Sequence, residues 1–299
     1  MITLKQMDYA LAVSKTLHFR KAAEECFVSP STLSNAITEM ERDLGFQIFE
    51  RSNKKVIVTS LGIEVLEKVQ SIQVQMHDMK RLAEKQSEPL SHPLSIGVIP
   101  TVSPYLLPII LPAIKKQFPN LVLKIEEGQS NSLVQKVKNG ELDMAILALP
   151  FNLDGLISLK FWEEDFYWIS HRENKLAGTH EIRANQLEYS ELLLLEDGHC
   201  LKDHILDACQ ISSHSKHILK ASSLVTLIQL VKGNMGSTLV PKMALTQLLT
   251  SHKELFQAHL NEPGPHREIA LIMRSAYTGI KNAELLAALC EDSLSRQKS

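Results

Sequence analysis

The sequence has few cysteines and no long apolar run. Four cysteines in 299 residues are too few for a disulfide scaffold, so we expect a reduced resting state in which any disulfide would act as a switch. No apolar run approaches the roughly 18 residues that a membrane span needs. The opening residues, MITLKQMDYALAVSK, do not combine a basic leader with an apolar core. These absences predict a cytoplasmic protein without a membrane partner.

The sequence also lacks an excess of one charge. The formal net charge is −2, so nothing global indicates nucleic acid or an anionic membrane, and DNA binding must be argued from local sequence. A hydrophobic content of 44% and a charged content of 22% are ordinary for a globular protein of two or three domains.

Residues 19–45, FRKAAEECFVSPSTLSNAITEMERDLG, contain two short helical patterns that meet at residues 27–29. Ser29 is typical of an N-cap and Pro30 of a first helical position. Apolar residues recur on one face of the second helix, namely Leu33, Ile37, Met40 and Leu44. The other face carries short polar side chains, namely Ser31, Thr32, Ser34, Asn35 and Thr38. Such side chains can approach base edges and phosphates, which favours a helix-turn-helix, with a solvated helical hairpin as the alternative.

Residues 46–62, FQIFERSNKKVIVTSLG, predict a strand, a basic turn and a second strand. Arg51, Lys54 and Lys55 at this turn are suited to phosphate contacts beside a recognition helix, as in a wing. A solvated hairpin tip would look similar.

A long helical pattern covers about residues 60–85. Its apolar positions alternate between spacings of four and three, namely Val65, Val69, Ile72, Met76, Met79 and Ala83. This heptad seam predicts a dimerisation arm, with packing against its own domain as the alternative. Two prolines in QSEPLSHP (86–93) then end the helix.

Strand-like runs at 94–100, 121–128 and 142–149 alternate with helical patterns, which predicts an α/β domain with a parallel sheet. A second set of runs begins at 165–170 and continues at 191–197. The late run EIALIMR, 268–274, is expected to return to the first sheet.

The order of these parts resembles that of the LysR-type transcriptional regulators. The residues that carry the likeness are FRKAAEECFVSPSTLSNAI, the turn Phe49-Glu50-Arg51, Thr59 with Gly62, and GELDMAIL at 140–147. Within the family, IPTVSPYLLP (99–108), LDMAILAL (142–149) and LLLLEDGHCLKDHILDAC (192–209) resemble the hydrogen-peroxide-sensing OxyR branch. The sequence departs from the family's usual residues at Pro30 and Ala36, where glutamine is common, at Lys202, where arginine is common, and at Ser130, where threonine is common.

The resemblance implies an α/β fold with an N-terminal winged helix-turn-helix, a linker helix and a two-lobed effector domain like a periplasmic binding protein. We expect a DNA-binding domain at 1–60, a linker or dimerisation helix and hinge at 61–93, and an effector domain at 94–299. Lobe I would comprise 94–164 and 268–299, and lobe II 165–267.

By spacing alone, Cys200 and Cys209 are a redox pair, half of a metal site, or two buried thiols. A helix that starts at Asp197 or Gly198 would place Cys200 in its first turn, where the helix dipole favours a thiolate. Lys202 would add positive charge and His199 a hydrogen bond, in a partly exposed site. Zinc is disfavoured because Cys200, His204 and Cys209 do not share one helical face.

The resemblance implies that Thr101 and Ser130 face Cys200 across a cleft and hold peroxide, although Thr101 is also suited to cap a helix near Pro104. Peroxide would oxidise Cys200 to a sulfenic acid, which would condense with Cys209. If residues 200–209 are helical, their nine-residue rise of about 13.5 Å exceeds the disulfide limit of about 7 Å, so the helix must unwind. Cys26 and Cys290 are expected to be structural.

These patterns predict a peroxide-responsive transcriptional regulator rather than an enzyme, without cofactor or metal. Its expected partners are promoter DNA, a second copy in a homodimer or tetramer, RNA polymerase, and hydrogen peroxide as the signal. The alternative is a LysR-type regulator that binds a small metabolite between its lobes. A thiol peroxidase is a third reading, but it would need a recycling reductant and would leave residues 1–85 unexplained.

Overall fold

The computed structural model describes residues 1–51, 55–81, 89–210, 219–250 and 252–297, and the chain forms two compact units, Met1–Arg81 and Leu82–Ser299. The helices of these residues are α1 (Leu4–Thr16), α2 (Phe19–Glu25), α3 (Pro30–Leu44), α4 (Ser60–Arg81), α5 (Ser103–Gln117), α6 (Ser130–Lys138), α7 (Cys200–Ala208), α8 (Leu224–Lys232), α9 (Leu245–Leu249) and α10 (Ile280–Gln297). The strands are β1 (Phe49–Arg51), β2 (Val56–Val58), β3 (Leu94–Val98), β4 (Leu123–Glu127), β5 (Met144–Leu149), β6 (Leu156–Glu164), β7 (Phe166–His171), β8 (Glu181–Ile182), β9 (Leu194–Leu195), β10 (Lys220–Ala221), β11 (Thr238–Pro241), β12 (Leu255–Leu260) and β13 (Arg267–Arg274). Within the described residues no helix is long and apolar enough to cross a membrane.

In the first unit, α1 to α3 and the start of α4 enclose one apolar core. The predicted N-cap is confirmed, because the Ser29 side chain accepts a hydrogen bond from the Thr32 N–H and Pro30 is the first residue of α3. Gly45, with φ of +79°, ends the helix in the left-handed conformation that favours glycine. Antiparallel pairing of β1 with β2 confirms the two predicted strands, and residues 52–54 between them lie outside the described residues.

The predicted heptad seam on α4 divides into two parts. Val69 is buried in the core of the first unit and Val65 packs against it, as the alternative reading expected. Farther along, Ile72 and Met76 are half-buried and Met79 is 63% exposed. Ala83 lies outside the described residues. The first part of the seam therefore packs on its own unit, and Met79 is left exposed.

In the second unit the first sheet has the strand order β4-β3-β5-β13-β6. The return of residues 268–274 to this sheet is confirmed by the pairing of β13 with both β5 and β6. The expectation of a parallel sheet is wrong in part, because β13 is antiparallel to both neighbours. The chain leaves the sheet at the end of β6 and re-enters at the start of β13, so these adjoining strands run in opposite directions.

The second sheet has the order β11-β7-β12-β8, with β7 antiparallel to β11 and β12. Each sheet has its own apolar core, so the second unit has two lobes. The chain crosses between them from β6 to β7 and from β12 to β13. The predicted run at 191–197 is a strand only at Leu194–Leu195, which pairs with β10.

The start of α4 depends on a close approach at Gly62. The Thr59 hydroxyl donates to the Gln47 carbonyl at 2.7 Å and accepts from the Gly62 N–H at 2.9 Å. A Cβ on Gly62 would lie 2.2 Å from the Ile48 carbonyl oxygen, which only a shift of the backbone would relieve. The Thr59 and Gly62 pair is therefore a constraint on how α4 leaves the wing.

Gly62→Ala should destabilise the first unit by about 1–3 kcal/mol, although alanine normally stabilises a helix by about 1 kcal/mol relative to glycine. Urea unfolding of the full chain, monitored by a spectroscopic probe attached to the first unit, measures this change in the free energy of unfolding. Ser60→Ala in the same turn, where the side chain is exposed, is the control and should change stability little. A Gly62→Ala protein as stable as wild type would contradict the steric argument.

Candidate functional site

Helix α7 begins at Cys200, with His199 as its N-cap residue. The expectation that Cys200 lies in the first helical turn is confirmed, although the helix starts two or three residues later than predicted. The expectation of a partly exposed site is wrong, because Cys200 is only 4% exposed and Cys209 only 3%. Both cysteines are covered by apolar side chains that the local sequence pattern did not identify.

The two cysteines belong to different cores. Cys200 packs in the core of the first lobe, whereas Cys209, the C-cap residue of α7, packs in the core of the second. All four cysteines, which lie within the described residues, are free thiols. Across nine helical residues the two Cα atoms are about 13.5 Å apart, so a disulfide cannot form while α7 is intact.

The N-termini of α6 and α7 approach each other at this site. Gly198, with φ of +98°, lies so close to α6 that a Cβ would be 2.6 Å from the Gln129 amide oxygen. Ser130 is the first residue of α6 and Cys200 the first residue of α7. Helix N-termini carry a partial positive charge that favours an anion, so the backbone around the thiol favours a thiolate.

Burial nevertheless raises the pKa of the Cys200 thiol above its ordinary value, since desolvation disfavours the charged form. The Ser130 hydroxyl, the Arg267 guanidinium and the backbone of Ala148 lower this pKa in part, while the Asp203 carboxylate raises it. Ser130 Oγ is buried and has no hydrogen-bond partner among the described residues. Ser130 therefore presents an unpaired buried hydroxyl at the N-terminus of α6.

Arg267 is the cation of this site, and the sequence patterns did not single it out. Its Nη1 donates to Thr101 Oγ1 at 3.2 Å and its Nη2 to the Thr101 carbonyl at 3.3 Å. Thr101 does not cap α5, because that helix begins at Ser103 and has no side-chain cap. The sequence signal that could have identified Arg267 is its position directly before the run 268–274, which was predicted to return to the first sheet.

A buried carboxylate holds Arg267 from the opposite side. Arg267 Nε donates to Glu164 Oε1 at 2.8 Å, Nη2 lies 2.7 Å from the same oxygen, and both side chains are fully buried. Glu164 Oε2 accepts from the Met243 N–H of the second lobe at 2.7 Å. The ion pair therefore lies where the chain crosses between the lobes.

Lys202 makes an ion pair that the sequence patterns did not predict, and the hydrogen bond expected of His199 stays a prediction. Lys202 forms an ion pair with Asp197, which Lys220 also contacts at 2.7 Å. These two lysines lower the pKa of Asp197 to about 2. The cation that lowers the pKa of Cys200 is Arg267 rather than Lys202. Burial lowers the pKa of His199, which favours a neutral imidazole at pH 7.

At the C-terminal end of α7, the surroundings of Cys209 make its thiol less reactive. Burial, with a contribution from Glu262, raises the pKa of Cys209 to about 12. Between the cysteines, His204 Nε2 lies 2.8 Å from the Pro150 carbonyl oxygen. In the part of the chain that the structure describes, no group of three or more histidine, cysteine or acidic side chains is arranged to hold a metal ion.

The candidate DNA-binding residues lie on α3 and the wing. Pro30, Ser31, Thr32 and Asn35 are exposed, as is Lys55, whereas Lys54 lies outside the described residues.

Two of the predicted DNA-binding residues contact each other. Arg51 Nη1 donates to Ser34 Oγ at 2.9 Å, and Nη2 contacts Thr38 and Glu41. The Arg51 guanidinium also lies 4.4 Å from the centroid of the Phe19 ring. Arg51 therefore attaches the wing to α3.

Two family models match the chain. Residues 4–63 match the bacterial regulatory helix-turn-helix protein of the lysR family, and residues 87–295 match the LysR substrate binding domain. The chain is 39% identical to the HTH-type transcriptional regulator EstR of Acinetobacter baylyi, over 92% of this chain and 91% of that protein. It is 34% identical to the hydrogen peroxide-inducible genes activator of Dickeya chrysanthemi, over 91% of this chain and 90% of that protein.

Solved structures are similar over nearly the whole chain. A full-length OxyR variant from Pseudomonas aeruginosa is 30% identical with a TM-score of 0.78, over 97% of this chain and 95% of that one. A peroxide-bound OxyR variant from Corynebacterium glutamicum is 32% identical with a TM-score of 0.66, over 99% and 94%.

Thiol labelling should follow the burial of each cysteine. At pH 8 iodoacetamide should modify half-buried Cys26 first and Cys209 and Cys290 last, because burial raises the pKa of each of the latter two to about 12. Their thiolate fraction at pH 8 is on the order of one in 10⁴, and labelling should accelerate as the pH rises. Mass spectrometry of the labelled peptides measures the order. In denaturant the differences should vanish, and native Cys209 labelling as fast as Cys26 would contradict the assignment.

Proposed function

Because this chain belongs to the LysR family of bacterial transcriptional regulators, we propose that it regulates transcription in response to hydrogen peroxide through Cys200. The observation that carries the proposal is the site itself, in which Cys200 starts α7 beside Ser130 and Arg267 and a second cysteine ends the same helix. Further support comes from relatives named as hydrogen peroxide-inducible genes activators and from similarity to OxyR structures.

In the proposed reaction the Cys200 thiolate attacks one peroxide oxygen. The O–O bond breaks, the sulfur loses two electrons to the peroxide, and the second oxygen leaves as hydroxide, which takes a proton to become water. The Thr101 and Ser130 hydroxyls would hold peroxide, and Arg267 would stabilise the thiolate. The product is a sulfenic acid at Cys200.

The second step joins the two cysteines. The Cys209 thiolate attacks the sulfenic sulfur, an S–S bond forms, and the hydroxyl leaves as hydroxide and is protonated to water. Because the bond requires α7 to unwind, Cys209 must leave the core of the second lobe. Oxidation would thereby change the surface of the effector domain, which is the kind of order-to-disorder change that can reach another site.

The expected output is control of promoter DNA. We propose that the chain acts as a homodimer or tetramer, that α3 enters the major groove, and that the wing contacts phosphates. As an activator it would also contact RNA polymerase. No cofactor or metal takes part in these steps.

A second candidate is a regulator that binds a small metabolite between its lobes. It is favoured by the 39% identity to EstR, whose name does not mention peroxide, and by the raised pKa of Cys200. Thiol titration before and after equimolar peroxide separates the two. Loss of two thiols per chain supports the peroxide function, and retention of all four supports the metabolite.

Substitution of each cysteine tests the redox function. Cys200→Ser should abolish the transcriptional response to peroxide, whereas Cys209→Ser should form a sulfenic acid but respond weakly, because α7 has no partner thiol to unwind it. In wild type, hydrogen exchange across residues 200–210 should accelerate on oxidation. Cys290→Ser is the control and should respond as wild type does. A full response by Cys200→Ser, or identical exchange in both redox states, would overturn the proposal.

Two substitutions separate base reading from phosphate contact. Asn35→Ala should relax the preference at one base pair of each half-site, at about 1–3 kcal/mol. Lys55→Ala should weaken binding to all sequences alike and reduce the salt slope by about one. Titration of duplexes selected in vitro by the full chain, at several salt concentrations, measures both effects. If neither variant differs from wild type, α3 and the wing do not form the interface.

A further inference from the structure

The Arg267 guanidinium contacts Thr101 on one side and the Glu164 carboxylate on the other. On one side it donates to Thr101 and lowers the pKa of the Cys200 thiol. On the other side Nε and Nη2 both contact Glu164 Oε1, at 2.8 and 2.7 Å. Because both side chains are fully buried, solvent screens this interaction little. The carboxylate therefore opposes the positive potential that Arg267 exerts at the sulfur.

Glu164 is itself held in one orientation. Its second oxygen, Oε2, accepts from the Met243 N–H at 2.7 Å, in the turn that follows β11. The carboxylate thus joins the last residue of β6 in the first lobe to the second lobe. The direction of the guanidinium plane depends on this contact, since two of its nitrogens meet a single fixed oxygen.

We propose that Glu164 is a positioning residue that limits the rate of Cys200 oxidation, because its carboxylate orients Arg267 and offsets part of the guanidinium charge near the thiol. The proposal rests on the proposed function of Cys200. Cys200 would then react with peroxide more slowly than it would beside an unpaired Arg267, because Glu164 partly neutralises the guanidinium that stabilises the thiolate.

The test is the pH profile of Cys200 in Glu164→Gln. Glutamine keeps an oxygen for the Met243 N–H but removes the negative charge, so the midpoint of Cys200 oxidation by peroxide should fall by roughly one pH unit. Below both midpoints the reaction should be about tenfold faster than in wild type. The adjacent exposed residue supplies the matched control, since Glu163→Gln removes the same charge outside the ion pair and should leave the midpoint unchanged.

A second reagent separates this inference from the peroxide function. Alkylation of Cys200 by iodoacetamide in the full chain, quantified by mass spectrometry, reports the same midpoint without peroxide. If peroxide fails to oxidise wild-type Cys200 while the alkylation midpoint still falls in Glu164→Gln, the proposed function is wrong, and what stands is the effect of Glu164 on the ionisation of the Cys200 thiol. A midpoint that is unchanged or higher in Glu164→Gln overturns the role of Glu164.

A purely structural role predicts a different result. Local loosening would accelerate labelling at every pH without moving the midpoint, and that outcome also counts against the proposal. Because Glu164→Gln leaves a buried cation without its partner and lowers stability, circular dichroism must first show a folded protein. If it does not, Glu164→Asp replaces it. This variant keeps the charge but withdraws it by one methylene, so the midpoint should fall by less, and an unchanged or higher value would again overturn the role.

Discussion

The ion pair between Glu164 and Arg267 stands where both chain crossings between the lobes meet. Glu164 ends the strand that leaves the first lobe, and Arg267 begins the strand that returns to it. Removing one partner of such a buried pair costs about 3–5 kcal/mol, since a charge is left without compensation. Thr101, Met243 and the thiol of Cys200 are all arranged around this pair. The geometry of the candidate site therefore depends on the same interaction that joins the lobes.

Helix α7 extends from the site near this ion pair into the core of the second lobe. Leu201, Ile205 and Leu206 are buried in the core of the second lobe, and each such side chain contributes about 1.5–3 kcal/mol. In the proposed mechanism the unwinding of α7 costs several kcal/mol, which disulfide formation must offset. Each ~1.4 kcal/mol of strain makes a disulfide about 30 mV more oxidising. A bond formed at this cost is easily reduced, which suits a switch that must be reset.

In the first unit, too, a single arginine holds two elements together. Arg51 contacts Ser34, Thr38 and Glu41 and lies over the Phe19 ring, so one basic residue orders the wing against α3. The exposed face of α3 carries short side chains. Such side chains reach base edges only at close range, and a fixed angle between wing and helix would therefore matter for recognition.

Features set by neighbours in the chain were predictable from the sequence. The Ser29 cap, Pro30 at the helix start, the paired strands β1 and β2, and Cys200 in a first helical turn each depend on a few consecutive residues. Local hydrogen bonds and dihedral preferences determine such features. The assignment of Cys200 and Cys209 as a candidate pair likewise needed only their spacing and the family resemblance.

The tertiary structure decided which groups surround the thiol. Arg267 approaches Cys200 because β13 returns between β5 and β6. The run 268–274 predicted a return to this sheet, but no local pattern gives its place between those two strands. Lys202, two residues from Cys200, forms an ion pair with Asp197. The burial that raises the pKa of Cys200 arises from the first-lobe core. The sequence by itself determined where the reactive groups lie along the chain, and the packing of two lobes determined their charge environment, because electrostatic effects depend on distance in space.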